Sequence, residues 1–127
     1  MKSKICTTID QSKKLIELGI PKNAADMWYQ HIGYSITDGK EKPTYFPMVI
    51  RDNISDDDIP AWSLFALLEL MPERIKIGDE LSFCLTSKKS TTGFSFGYNL
   101  NGSTFVKDNP LDAAFEMVCW LKENGKI

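Results

Sequence analysis

The sequence predicts a single α+β domain in which an N-terminal helical pair, a central buried helix and a C-terminal helix pack on a three-stranded antiparallel meander. Three observations carry this expectation. Apolar residues keep helical spacing in stretches near both ends of the chain and in the middle. They alternate with polar residues between 81 and 98, the period of a half-buried strand. A chain of 127 residues, 43% apolar and 25% charged, also has the size and composition of one core. No repeat, low-complexity tract or linker divides it, so residues 1–127 are expected to form one domain.

The first element follows Thr8, where Thr8-x-x-Gln11 has the form of a capping box ahead of Leu15, Ile16 and Leu18. Gly19 should end this helix. Pro21 then suits the first turn of a second short helix through Ala24, Ala25, Met27 and Trp28. Residues 31–59 give no regular pattern, because Gly33, Asp38-Gly39, Pro43 and Pro47 interrupt it. Within them, Tyr45 to Ile50 suits a short edge strand, Pro47 barring it from a sheet centre.

Asp56, Asp57 and Asp58 stand before Pro60 and the run Ala61–Met71, which is apolar on nearly all sides and closed by Pro72. A helix apolar all round is a buried one, and the acidic triplet would lie at the positive end of its dipole. Leu81, Phe83 and Leu85, then Phe94, Phe96 and Tyr98, alternate as strands. Turns are expected at Ser87–Thr92 and Asn101-Gly102. The last helix should run from Asn109-Pro110 to Asn124, with Leu111, Ala114, Phe115, Val118 and Leu121 on its core face.

The N-terminus MKSKICTTID has no apolar stretch of a secretory leader, and no run approaches the roughly 20 apolar residues of a membrane span. Cys6, Cys84 and Cys119 are odd in number, widely spaced and without a C-x-x-C pair, which points to reduced thiols and a cytoplasmic location. The net charge is −2, unevenly spread. Residues 1–22 carry Lys2, Lys4, Lys13, Lys14 and Lys22 against Asp10 and Glu17.

Gly93-Phe94-Ser95-Phe96-Gly97 matches the G-x-S-x-G elbow of α/β-hydrolases. That elbow needs a strand-to-helix turn and a later histidine. Ser95 instead falls inside an alternating strand, on its expected outer face, and the one histidine, His31, precedes it. Zinc spacing, a calcium loop and a phosphate-cradling loop are all missing from the pattern. No catalytic, cofactor-binding or metal-ligating residue is therefore assigned, and no cofactor is expected.

What remains is binding. The irregular segment from Gly33 to Asp52, held on a rigid scaffold, is where recognition is expected. Tyr29, Tyr34, Tyr45 and Phe46 are the candidate contact residues, since aromatic side chains dominate interface energetics. This gives a non-enzymatic accessory module with a protein partner, self-association included, and no membrane contact. A second reading treats the N-terminal pair as a helix-turn-helix binding nucleic acid through Lys2, Lys4, Lys13, Lys14 and Lys22, although Asp26 would then face phosphates. A third is a small hydrolase or transferase using His31 with an acid such as Asp26.

Four segments taken together carry a resemblance: Thr7–Leu15, Ala24–Met27, Pro60–Leu64 with Ala66–Pro72, and Asp112–Leu121. They resemble a family of small uncharacterised proteins from gut bacteria and their phages or mobile elements. The likeness spans most of the chain and is weakest over residues 31–58 and 80–107. It implies a cytoplasmic accessory protein that acts by binding, and it brings no activity, cofactor or site residue.

Overall fold

The computed structural model describes residues 4–49, 58–77, 81–98 and 105–127. The Thr8 capping box forms as expected: its hydroxyl accepts from the Gln11 amide at 3.1 Å, and the Gln11 side chain accepts from the Thr8 amide at 3.0 Å. Helix α1 (Ile9–Glu17) follows and buries Ser12 and Leu15. Gly19, with φ of +96°, turns the chain away at its end.

No second helix follows. Lys22–Ala24 make a single 3₁₀ turn, and strand β1 (Met27–Thr37) begins three residues later. Ala24, Ala25, Met27 and Trp28 fit a helical face. The aromatic and β-branched run Trp28-Tyr29-Gln30-His31-Ile32 favours a strand, and it decides the outcome. β1 turns at Asp38-Gly39, whose φ angles of +53° and +74° are those of a type I′ turn, into β2 (Lys40–Val49). The pattern-breaking segment is thus, as far as Val49, a long antiparallel hairpin, and Tyr45–Val49 of the expected edge strand are the end of β2, with Ile50 outside the described residues. A short strand β3 (Ile59–Ala61) pairs with Met27–Tyr29 on the other side, giving the order β2-β1-β3.

Helix α2 is shorter than expected, spanning Leu64–Leu70. Ser63 caps it by accepting from the Ala66 amide at 3.2 Å, so Asp58 lies ahead of β3 rather than at the helix start, and Asp56 and Asp57 lie outside the described residues. Nor is it buried all round, since Phe65 is 68% exposed. The meander also resolves differently. β5 (Leu81–Cys84) pairs back onto β4 (Arg74–Ile77), and β6 (Thr86–Ser90) pairs with β7 (Gly93–Gly97) around a turn at Thr91-Thr92. Among the described residues these are two hairpins, with an isolated bridge from Phe94 to Lys107. The Asn101-Gly102 turn lies outside the described residues.

Helix α3 (Pro110–Glu123) begins under an Asn109 cap that accepts from the Asp112 amide at 2.9 Å. Leu111, Phe115, Val118 and Leu121 pack with Leu15, Trp62, Leu67, Ile75, Phe96 and Tyr98 into the main core. Ser95 is inside rather than outside, only 6% exposed, because β7 lies against α3 and Ser95–Tyr98 are buried in succession. Cys6 and Cys119 are buried thiols, and Cys84 is exposed. Burial pushes the Cys119 thiol up to about 12. Among the described residues no helix is long and apolar enough to cross a membrane.

Candidate functional site: the β1–β2 arm

The hairpin is rooted in a small secondary cluster of Cys6, Met27 and Ala61, with Tyr29 packed against it. Thr7 is the hub of that root. Its amide donates to the Trp62 carbonyl at 2.9 Å, and its hydroxyl accepts from the Trp62 amide at 3.1 Å. The same hydroxyl lies 2.8 Å from that of Ser12, and its carbonyl accepts from the Tyr29 hydroxyl at 2.6 Å. One fully buried threonine therefore ties α1, the β3–α2 junction and β1 together. Asp26, just before β1, accepts from both the amide and the hydroxyl of Ser63 and so ties the arm root to the start of α2.

Beyond Tyr29 the arm leaves the body. From Gln30 to Pro43 every residue except Gly33 is exposed. Gln30 to Thr37 alone extend for roughly 26 Å at about 3.3 Å per residue. Yet its side chains are not those of a solvated hairpin: Ile36 is 78% exposed, Tyr34 65% and Phe46 55%, with Ile32, Met48 and Val49 also open.

The register distributes these groups over both faces. Cross-strand partners share a face, so Tyr29 with Pro47, His31 with Tyr45 and Tyr34 with Pro43 make one side. Trp28 with Met48 and Gln30 with Phe46 make the other. A bulge between His31 and Gly33, with Ile32 as the extra residue, returns Tyr34 to the His31 side despite a separation of three residues. The His31 ring stands edge-on to Tyr34, 4.9 Å between centroids, and lies 5.5 Å from Tyr45.

A shallow cleft of about 420 Å³ lies along that face, with Asp58 and Ile59 beside the rings and Pro43. The structure therefore brings Tyr29, Tyr34 and Tyr45 together and sets Phe46 on the opposite face. Tyr29 is an anchor rather than an open contact. Burial, then its contact with the Cys6 thiol, pushes its hydroxyl well above the usual range. Sequence reasoning missed Ile32, Ile36 and Met48, although Asp38-Gly39 between apolar strands was a signal for them.

The other two sequence-based sites are not assembled. Lys4 is spent on Asp112 at 3.0 Å, Lys13 and Lys14 are exposed on α1, and Lys22 is half-buried in the 3₁₀ turn. Lys2 lies outside the described residues. With β1 where a recognition helix was expected, no helix-turn-helix is formed. Asp26 is committed to Ser63, and the ring neighbours of His31 are tyrosines. Among the described residues no cluster of His, Cys, Asp and Glu is arranged to hold a metal.

No protein-family model matches the chain, and neither a curated protein nor a solved structure matches it.

Proposed function

We propose that this protein is a non-enzymatic cytoplasmic accessory module whose recognition element is the β1–β2 arm. The observation that carries the reading is the arm itself: an ordered hairpin with Ile32, Tyr34, Ile36, Phe46, Met48 and Val49 in water. A two-stranded hairpin alone is marginally stable, and a soluble chain rarely leaves so much contiguous apolar surface uncovered. Recognition through it uses side chains more than backbone, because Pro43 and Pro47 remove two N–H donors from the outer strand. Three free cysteines support a reducing compartment.

The test is affinity capture with the tagged chain, scored for foreign proteins and for its own untagged copy. Tyr34→Ser/Ile36→Ser is compared with Lys88→Glu, a control on the separate β6–β7 hairpin. The arm variant should lose what the wild-type chain and the control retain. An unchanged set of captured proteins would remove the arm from the role.

A further inference from the structure

The register of the arm sorts its charges as well as its rings. Tyr29 pairs with Pro47 on one side and Ile59 on the other, so the face that carries His31, Tyr45 and Tyr34 continues from β3 across β1 to β2. Two residues beyond Tyr34, strand alternation puts Ile36 and its partner Glu41 on the same face. Lys42 and Lys40, paired with Ser35 and Thr37, fall on the opposite one. At the body end Asp58 lines the cleft beside Ile59. Among the described residues that line it, none is a lysine or arginine. The ring face thus has a carboxylate towards each end, while its own strands send their lysines to the other side.

The rings add to that sign. The face of a tyrosine ring is electron-rich and attracts a cation, the more so where water is partly excluded. Tyr34 and Tyr45 both neighbour His31, with centroids 4.9 and 5.5 Å away and planes inclined to it by 77° and 53°. Rings inclined in this way do not cover one another face to face, so π surface stays open to the cleft. Tyr34 is exposed there and Tyr45 is half-buried.

Shape narrows the choice of cation. The rings rise from one sheet face, so they bound the cleft from one side and do not close around a spherical ammonium. A flat, weakly hydrated guanidinium can lie against such a surface and still donate to a carboxylate at its rim. The cleft, of about 420 Å³, is on the scale of a small ligand or a single side chain.

We propose that this cleft receives an arginine side chain of a partner protein, its guanidinium lying against the Tyr34 and Tyr45 rings on the Asp58 side of the arm. This rests on the reading of the arm as the recognition element and gives the chemistry of what it recognises. Asp58 makes an interaction of its own besides, so the rings are the larger part of the hold and the carboxylates set its sign.

The probe is N-acetylarginine amide, titrated into the full chain across the millimolar range at constant ionic strength, with the ring protons of His31, Tyr34 and Tyr45 followed by NMR. Its citrulline counterpart keeps the shape without the charge, and its lysine counterpart the charge without the plane. Arginine should move the three rings saturably, lysine more weakly and citrulline not at all. Tyr34→Leu keeps apolar area but removes a π face and should weaken arginine binding roughly two- to fivefold, whereas Tyr34→Phe should bind as the wild type does. Citrulline or lysine binding as tightly as arginine, or a Tyr34→Leu chain that binds like the wild type, would overturn the proposal. Rings that ignore arginine, with captured proteins still lost in Tyr34→Ser/Ile36→Ser, would overturn the arginine site and leave the arm's role standing. Rings that respond, with capture unchanged in that variant, would keep the cation site and remove the arm from partner recognition.

Discussion

The body and the arm are built from similar residues and put them to opposite use. In the body, Leu15, Trp62, Leu67, Leu111 and Leu121 are wholly enclosed, and polar groups beside them find partners, with the Trp62 indole N–H a buried exception. Thr7 uses its amide, hydroxyl and carbonyl, Ser12 meets it, and the Tyr98 hydroxyl donates to the Pro72 carbonyl at 2.6 Å. In the arm, isoleucine, tyrosine and phenylalanine of the same kind stand in water, held by cross-strand pairing and a bulge. Burial converts apolar side chains into folding free energy, and exposure leaves that free energy to be gained on association. The contrast separates the residues that fold the chain from those proposed to recognise a partner.

Substitutions sharpen the contrast in order of expected size. Leu67→Ala opens a cavity in the enclosed core and should cost about 2–5 kcal/mol in urea unfolding. A loss under about 1 kcal/mol would mean the core is looser than it looks. Gly93→Ala comes next. Gly93 holds φ of +145°, and a Cβ there would stand 2.2 Å from the Lys107 carbonyl oxygen. Backbone strain of about 1–3 kcal/mol, with loss of amide protection at Phe94, should follow. Thr7→Val leaves the Trp62 amide and the Ser12 hydroxyl without their partner and should cost about 1–3 kcal/mol.

A pH effect is expected from Asp112. Burial raises its carboxyl, but hydrogen bonds from Gln11, Lys4 and Asn109, with the Lys4 charge, outweigh that and hold it below the usual range. A lowered folded-state value stabilises above the ordinary Asp range near ~4, and the gain is lost as pH falls through the folded value. The melting temperature should therefore drop below about pH 4, and Asp112→Asn should flatten that limb. An identical acid limb in the variant would show that other carboxyls carry it. The smallest effect belongs to the arm: Ile36→Ser should change stability by no more than about 0.5 kcal/mol.

The sequence made the body legible where local chemistry and periodicity agree. The Thr8–Gln11 box, the Gly19 stop and the Asn109-Pro110 start are local devices, and each is present. Leu111 to Leu121 keep one helical face because α3 lies across the core. The arm was hidden by a competition between signals. Pro43 and Pro47 argued against a strand, yet both are tolerated because β2 is an outer strand. Asp38-Gly39 interrupts the local pattern, yet it is the turn that makes the hairpin. Met27-Trp28 fit a helical period equally well until pairing with Ala61 and Pro60 decided for a strand. Of the candidate site, Tyr34, Tyr45 and Phe46 were found by residue type. Their division between two faces was not, since it depends on a register shift at Ile32 that no local pattern encodes.

The most direct measurement takes the triple variant Tyr34→Ser/Ile36→Ser/Phe46→Ser and follows its urea unfolding beside the wild type, both dilute enough to be monomeric. Association is measured on the same preparations. An arm that serves recognition leaves midpoint and slope unchanged while association disappears. A drop of more than about 2 kcal/mol would contradict the account, because the arm would then belong to the body's own fold.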